Sequence, residues 1–301
     1  MTDWVLKILE SPEEMLQAEK LQRVVWPGSD TEIVPGHLLI TAAHNGGLAI
    51  GAFLPSEGGE ALEKMIGFVF GFVGLYFTPD GPRPKHCSHI LGVLPDYRNT
   101  GIGFALKRAQ WQMVRHQGID RITWTYDPLL SRNAHLNITR LGAVCNTYLR
   151  DAYGPLHDGL NVGLSTDRFE VDWWINTQRV QRRLSRRPRL QLDLAHFLAA
   201  GAQIVNPAQD NEQGWLAPSS SFPPLTEMDL GADSPLLLVE IPSDFLALKQ
   251  TDPALASAWR FHTRTLFEDL FQRGYLVTDF IFLPGRHPRS YYVLSHGDST
   301  L

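Results

Sequence analysis

The chain has 301 residues, of which 44% are hydrophobic and 20% are charged, and its net charge at pH 7 is −5. This composition is that of a globular protein long enough for two domains, and it provides no overall electrostatic attraction to nucleic acid or an anionic membrane. The two cysteines, Cys87 and Cys145, suggest neither a disulfide framework nor a zinc site, and the lack of a leader or a long apolar run predicts a cytoplasmic protein.

The first predicted elements are a strand and a helix. Residues 4–9 alternate between apolar and polar side chains, which predicts a strand. The segment after it favours a helix start, because Ser11 can cap the helix, Pro12 suits its first position and Glu14 completes a capping box. We expect this helix to end near Trp26.

Two strands follow, with a short element before them. Residues 38–43 fit either a helix or a strand, and we favour a short helix. Residues 47–54 and 65–77 are apolar runs that predict two adjacent strands, connected by residues 57–63. Residues 79–85 contain three prolines and a glycine, which predicts a turn.

The central segment of the sequence is a strand, a glycine-containing turn and a helix. Residues 89–94 form a short apolar run that predicts a buried strand, and Pro95 ends it because proline has no N–H for a ladder. Residues 98–103, with the sequence R-N-T-G-I-G, form the turn. The helix after it ends at Gly118 and is amphipathic. Its apolar face carries Phe104, Leu106, Trp111 and Val114, and its charged face carries Lys107, Arg108 and Arg115.

This arrangement suits the binding of an anion. The first N–H groups of a helix have no partner inside it, and the helix dipole is positive there. Because Gly101 and Gly103 have no side chains, a pyrophosphate can approach the backbone closely. An ordinary turn between a strand and a helix is the alternative. The G-K-[ST] ending of a P-loop and the G-x-G-x-x-G of a Rossmann site are not found in this segment.

Residues 93–103, V-L-P-D-Y-R-N-T-G-I-G, resemble the acyl-CoA-binding motif of the GNAT acetyltransferase superfamily, and the order of elements over residues 4–174 fits as well. The resemblance implies an α+β or α/β fold with a mixed, mostly antiparallel central sheet flanked by helices. It implies acetyl-CoA as the acyl donor. No metal is expected, because no set of His, Asp and Glu residues has the spacing of metal ligands. It also implies that the pantetheine arm pairs with the backbone around Leu91 and Val93, and that the Val93 N–H faces the thioester oxygen. The pyrophosphate would be bound by the backbone of Arg98, Asn99, Thr100, Gly101, Ile102 and Gly103.

The next elements depart from the family pattern. Residues 121–126 predict a strand, and residues 131–141 predict a helix that Gly142 ends. By resemblance Asn133 contributes to CoA binding, but it lies closer to Gly142 than the family's usual spacing. Ile138 stands where the family's usual tyrosine protonates the departing CoA thiolate. The general acid is therefore unassigned, and the reaction would be slowed rather than abolished, since a thiol with a pKa of about 8.5 is a fairly good leaving group.

Three side chains on or after the predicted strands are candidates for catalysis, each with a structural alternative. His89 is a candidate base, or a packed strand histidine. Asp127 could bind a cationic substrate or relay a proton, or it could be a turn residue before a proline. Tyr126 could supply the missing phenol, or it could pack in the core. The Val93 N–H is the candidate donor to the oxyanion of the reaction.

The rest of the chain carries no catalytic motif that we recognise. Residues 159–164 and 169–175 predict a closing hairpin. The arginine-rich segment 177–189 could bind the 3′-phosphate of CoA, an acidic substrate or RNA. The alternative, which we favour, is a helix and linker whose charges stay in water. Residues 207–234 predict a loop.

We therefore predict three parts: a GNAT-like acyl-CoA-binding domain at 1–176, an arginine-rich helix or linker at 177–189, and an α/β region at 190–301. The last part has a β-α-β-β order, is large enough for its own core and could shape the acceptor pocket. Its predicted elements are a strand at 236–241, helices at 243–249 and 251–274, and strands at 275–283 and 291–295.

We expect an N-acetyltransferase that moves an acetyl group from acetyl-CoA to an amine of a small molecule or peptide by direct attack on the thioester. A homodimer is compatible with the sequence, whereas nucleic acid and membranes are not expected partners. The first alternative is a GNAT-like module that binds CoA or a metabolite without catalysis, which Ile138 favours. The second alternative is a scaffold without a ligand.

Overall fold

The computed structural model describes residues 4–28, 30–55, 64–154, 163–185, 191–218 and 235–296. Contacts between Cα atoms divide the chain into two compact units. The described residues of the first unit lie within Met1–Trp124 and Trp174–Asn176, and those of the second lie within Thr125–Pro155, Gly163–Trp173 and Thr177–Leu301. That the GNAT-like domain ends at residue 176 stays a prediction. Within the described ranges, no helix has the length and apolar character needed to cross a membrane.

The first unit is a mostly antiparallel sheet with helices against it. Its strands are β1 (Val5–Ile8), β2 (Leu48–Leu54), β3 (Lys64–Thr78), β4 (Gly81–Val93) and the start of β5 (Arg121–Tyr126), in that order across the sheet. Neighbouring strands run antiparallel except β4 and β5, which are parallel. The helices are α1 (Pro12–Val25), α2 (Gly36–His44) and α3 (Ile102–His116), and short 3-10 turns cover Asp30–Glu32 and Pro95–Tyr97.

The predicted start of α1 is confirmed. The Ser11 hydroxyl accepts a hydrogen bond from the Glu14 N–H at 3.2 Å, and the Glu14 carboxylate accepts one from the Ser11 N–H at 3.1 Å. Residues 38–43 are helical, as favoured, whereas the predicted connection at 57–63 lies outside the described residues. The helices bury apolar side chains against the sheet in a core that includes Met15, Ala18, Leu21, Leu39, Phe53, Phe68 and Phe70.

β4 begins earlier than the sequence pattern indicates. The predicted turn over residues 79–85 is wrong, because only its first two residues form a turn and residues 81–85 belong to β4, paired with β3. Pro82 and Pro84 are tolerated in this strand because β5 pairs with β4 only at residues 86–87. The N–H groups that these prolines lack are therefore not needed for a second ladder.

Six strands of the second unit are hydrogen-bonded neighbours in a sheet, and two others form a separate pair. Its strands are β6 (Val144–Leu149), β7 (Arg168–Trp174), β8 (Gln203–Ile204), β9 (Gln209–Asp210), β10 (Leu216–Ala217), β11 (Leu236–Ile241), β12 (Leu276–Leu283) and β13 (Arg289–Ser295). Across this sheet the order is β7-β6-β12-β13-β11-β8, and β9 and β10 form a separate pair. The helices are α4 (Ser131–Ala134), which continues as a π-helix over His135–Arg140, α5 (Gln178–Leu184), α6 (Leu194–Ala199), α7 (Phe245–Thr251) and α8 (Pro253–Gln272).

The predicted C-terminal helix and strands of this unit are confirmed. The Asp252 carboxylate caps α8 by accepting a hydrogen bond from the Leu255 N–H at 2.9 Å, and Gly274 follows the helix with a φ of +87°. β12 and β13 form an antiparallel pair. Buried aromatic rings fill the core of the unit, where the ring centroids of Phe169 and Phe267 are 4.7 Å apart.

The prediction of a closing hairpin from residues 159–164 and 169–175 is wrong for the residues that the structure describes. β7 pairs with β6, a strand that the sequence analysis does not predict, and residues 163 and 164 are not in a strand. The sequence of β6, V-C-N-T-Y-L, has no clear alternation of apolar and polar side chains to reveal it. Residues 159–162 lie outside the described ranges.

Two arginines of the arginine-rich segment have structural partners. Arg179 donates to two backbone carbonyl groups, and Arg183 forms an ion pair with Asp279 at 2.6 Å. The sequence favours an interpretation in which the charges of this segment stay in water, and this interpretation is wrong for these two side chains. Arg182, by contrast, is exposed. Residues 186–189 of the segment lie outside the described ranges.

Candidate functional site

The turn between β4 and α3 has a backbone conformation that few residue types adopt. β4 ends at Val93, a 3-10 turn follows, and α3 begins at Ile102. Asn99 has a φ of +65° and Gly101 has a φ of +91°, both in the left-handed region. Glycine adopts this region freely, and asparagine does so more easily than most residues. The N-T-G sequence therefore suits the path by which the chain enters the helix.

The N-terminal amides of α3 are open to a ligand. The first hydrogen bond of the helix runs from the Ala105 N–H to the Gly101 carbonyl, at 3.0 Å. The N–H groups of Gly101, Ile102 and Gly103 meet no acceptor among the residues that the structure describes. Residues 99–101 are exposed, and a Cβ at Gly101 would meet nothing within 4 Å. The helix dipole makes the electrostatic environment at this end of α3 favourable for an anion.

The motif side chains hold the turn in place. Arg98 Nε donates to the Val93 carbonyl at 3.3 Å, and the Thr100 hydroxyl donates to the Tyr97 carbonyl at 2.7 Å. Leu91 and Val93 lie beneath the start of α3, with methyl groups 3.9 and 4.0 Å from the position of a Cβ on Gly103. The groups that remain for a ligand are therefore mainly those of the backbone.

β4 has an unpaired edge that leads to this turn. β4 and β5 pair only at residues 86–87 of β4, so residues 88–93 have no partner on that side within the described parts of the chain. On the other side, the register with β3 shifts by one residue and leaves His89 in a β-bulge. The two parallel strands therefore part, and backbone N–H and C=O groups of β4 stay available beside the amides of α3.

His89 presents an imidazole on this bulge. Its side chain is exposed on one side, and its ring centroid lies 6.3 Å from that of Phe70 and 6.0 Å from that of Phe72. Burial against these rings lowers the pKa of His89 below its ordinary value. The imidazole is therefore neutral at pH 7 and can accept a proton, which keeps His89 a candidate base.

α3 covers a buried polar cluster that the sequence analysis does not predict. The helical pattern places Lys107 on the charged outer face, and this is wrong, because Lys107 is only 2% exposed. Its amino group donates to Ser88 Oγ at 3.0 Å and to Gln110 Oε1 at 2.8 Å, and it lies 3.7 Å from the ring centroid of Trp124. Burial lowers the pKa of Lys107 well below its ordinary value. The fully buried His86, beside Gln110, completes the cluster.

Tyr126 and Asp127 lie in the second unit, where both have structural partners. The Tyr126 hydroxyl is 3.1 Å from the Tyr292 hydroxyl, and burial raises the pKa of Tyr126 well above its ordinary value. The Asp127 carboxylate forms two contacts with the buried guanidinium of Arg260, one of them at 2.9 Å. These contacts match core packing for Tyr126 and a structural role for Asp127, so we propose neither as a proton donor.

Asn133 and Ile138 also lie in the second unit. Asn133 is half-buried in α4, and Ile138 is fully buried in the π-helix that continues it. The segment between Asn133 and Gly142, which is shorter than is usual in the family, therefore contains a π-helix. This element is rare and occurs frequently at functional sites. The CoA-binding role of Asn133 stays a prediction.

Comparison with known proteins identifies the part of the chain that contains the turn. Residues 31–138 match the model of the acetyltransferase (GNAT) family. Residues 31–138 are a GNAT acetyltransferase domain. The turn, the open edge of β4 and the buried cluster all lie within the matched residues of this GNAT domain. Within the described ranges, no group of three or more His, Cys, Asp and Glu side chains could hold a metal ion.

Several solved structures are similar to part of the chain. Arabidopsis thaliana NAA60 in complex with a bisubstrate analogue is 18% identical with a TM-score of 0.44, and the match covers 58% of this chain and 100% of that one. The ribosomal-protein-S18-alanine N-acetyltransferase of Escherichia coli is 17% identical with a TM-score of 0.41, covering 58% and 96%. An acetyltransferase of the GNAT family from Streptococcus pneumoniae is 15% identical with a TM-score of 0.43, covering 56% and 98%. No curated protein matches the chain.

Proposed function

We propose that this protein transfers an acetyl group from acetyl-CoA to an amine of a small molecule or peptide, by direct attack of the amine on the thioester. The observation that carries the proposal is the set of unpartnered N–H groups of Gly101, Ile102 and Gly103, next to the unpaired edge of β4 in the part of the chain that the structure describes. A diphosphate bound at these amides directs the pantetheine arm along that edge. There the amide groups of the arm can pair with the backbone of residues 88–93.

The chemistry assigns a role to each group beside the thioester. The acceptor amine must lose a proton to form the amide, and the neutral imidazole of His89 is the proposed base. As the amine attacks, the thioester carbonyl becomes an oxyanion, and the Val93 N–H is the proposed donor to it. Collapse of this intermediate breaks the C–S bond and releases the CoA thiolate, which needs a proton.

The proposal is tested by the release of free thiol from acetyl-CoA in the presence of a panel of small amines and of peptides with free N-termini. We expect release with at least one amine, and calorimetric titration to show CoA binding. Binding of CoA without turnover would support the alternative of a CoA- or metabolite-binding module, which the buried Ile138 favours. Absence of CoA binding would contradict both.

The role of His89 gives a prediction with a defined pH dependence. We expect His89→Ala to lower kcat about 100-fold, at the low end of the range for a general base, and to leave the Kd of CoA unchanged. In the unmodified protein kcat should fall as pH drops through the lowered pKa of His89, because a protonated imidazole cannot accept a proton. His89→Ala should lose this decrease at low pH, as measured by initial rates of thiol release.

His116→Ala is the matched control, since His116 is an exposed histidine in the last turn of α3. It should change neither kcat nor the pH profile. A His89→Ala protein with an unchanged rate would show that His89 is a packed strand residue.

A further inference from the structure

β3 and β4 continue together beyond their neighbouring strands as a two-stranded arm, residues 72–85. β2 pairs with β3 only as far as Gly71, and β5 pairs with β4 only at residues 86–87. Within the described parts of the chain, the arm therefore has no neighbouring strand on either edge. Because an isolated pair of strands is only marginally stable in water, side-chain contacts must hold the arm in place.

One face of the arm is anchored to the first unit through Tyr76. The Tyr76 hydroxyl donates to the Asp120 carboxylate at 3.4 Å, and its ring packs edge-on against that of Trp174, with the ring centroids 6.1 Å apart. The Arg121 guanidinium lies 4.7 Å from the centroid of the Tyr76 ring and 4.9 Å from that of the Trp174 ring. These contacts fix the arm by one face and leave the other face free to meet a partner.

The other face of the arm carries apolar side chains from both strands. Because side chains alternate along a strand, Val73, Leu75 and Phe77 lie on the face away from the anchoring tyrosine. The register pairs Leu75 with Pro84. It pairs Phe77 with Pro82 in the same way, and residues paired across antiparallel strands share a face. We call these five residues the apolar face of the arm.

The apolar face of the arm is exposed to an unusual degree. Phe77 is 82% exposed, Leu75 is 58% exposed and Val73 is 39% exposed, and both prolines are exposed as well. Single exposed apolar residues are common on protein surfaces, but a continuous set of them marks a surface that binds another molecule. The five side chains carry no charge and no hydrogen-bonding group, so a polar partner would lose its hydration here without compensation.

We propose that the apolar face of the arm packs against the same face of a second copy of this chain, in a homodimer with two-fold symmetry. A two-fold axis brings a surface against itself, and a face without charges is complementary to itself. The contact also has the composition of homodimer interfaces, which are apolar, rich in aromatic residues and depleted of charge at their centre. This inference does not depend on the proposed function.

The exposed area determines how strong this contact can be. From their exposed fractions, the five residues offer about 500 Å² per copy, so that two copies bury about 1,000 Å² together. This is the lower end of the range for specific interfaces and well below the area of a permanent dimer. The dimer is therefore weak and forms reversibly as the protein concentration rises. With the two-fold axis at the central residue, Leu75, the two Leu75 side chains face each other.

The test is sedimentation equilibrium of the full chain over a concentration series from about 1 to 500 µM, in which the unmodified protein should change from monomer to dimer. Leu75→Lys places two ammonium groups against each other at the centre of the contact, and it should weaken dimerisation at least about 10-fold. Val24→Lys is the matched control, since Val24 is a 56% exposed apolar residue of α1, outside the arm. It should dimerise as the unmodified protein does.

Methyl resonances of the unmodified protein provide a second measurement that needs no variant. Those of Val73 and Leu75 should shift as the concentration rises, and those of Val24 should not.

Three results would overturn the proposal: a monomer over the whole concentration series, a Leu75→Lys protein that dimerises as tightly as Val24→Lys, or a dimer that forms while the Val73 and Leu75 resonances stay in place. A monomer that sediments with phosphatidylcholine vesicles, and loses this binding in Leu75→Lys, would assign the apolar face of the arm to a membrane surface instead.

Discussion

The Gly101→Glu variant is expected to bind CoA about 100-fold more weakly than the unmodified protein, a loss of about 2.7 kcal/mol, and to stay folded. A Cβ at this position meets no neighbouring atom within 4 Å, so the substitution creates no clash. It places a carboxylate where the proposed site binds a diphosphate, and it imposes a φ of +91° on a residue that has a side chain. Calorimetric titration with CoA measures the affinity, and thermal unfolding checks the fold.

Gly118→Glu is the matched control for this variant. Gly118 follows the other end of α3, has a φ of +75° and is likewise free of neighbours within 4 Å of a Cβ. The added charge is therefore the same and the backbone strain is comparable, but the position is remote from the turn. Gly118→Glu should bind CoA as the unmodified protein does. Equal affinities of the two variants would remove the turn from the CoA site.

The second large effect is expected at the ion pair of Asp127 and Arg260. Asp127→Asn removes the negative charge and keeps an oxygen for the Leu129 N–H, which donates to the carboxylate at 2.9 Å. The guanidinium of Arg260, 2% exposed, is then left buried without the carboxylate that it pairs with. We expect the free energy of unfolding to fall by about 3 kcal/mol, at the low end of the range for a broken buried pair. Urea denaturation measures it.

Two further variants separate structure from function at this pair. Asp127→Asn combined with Arg260→Met removes both charges and should recover most of the stability. Arg150→Ala breaks an exposed ion pair with Glu268 in the same unit and should leave the free energy of unfolding nearly unchanged. If Asp127 is structural, the double variant keeps the rate of thiol release, whereas a stable double variant without activity would assign Asp127 to the acceptor amine.

The elements that the sequence predicts correctly are those with local signals. The capping box at Ser11 and Glu14 involves residues three apart, and the glycines at 118 and 274 mark helix ends by their own backbone conformation. The turn at residues 98–103 belongs to this class as well, because its left-handed positions call for asparagine and glycine.

The features that escape the sequence depend on partners distant along the chain. Lys107 is buried because Ser88 and Trp124 supply an acceptor and an aromatic face, and helical periodicity cannot show either of them. The one signal was the alternation of His86 and Ser88, which places two polar side chains on one face of β4. Arg260 is separated from its carboxylate partner by 133 residues, so its ion pair has no local pattern at all.

The proposed diphosphate site depends most directly on the N–H groups at the start of α3, and amide resonances of the labelled protein report on them. Addition of CoA should shift the N–H resonances of Gly101, Ile102 and Gly103 far more than that of Gly118, and pantetheine, which lacks the diphosphate, should leave the resonances of the turn nearly unchanged. CoA that binds while the resonances of Gly101 to Gly103 stay in place would contradict the site proposed for the diphosphate.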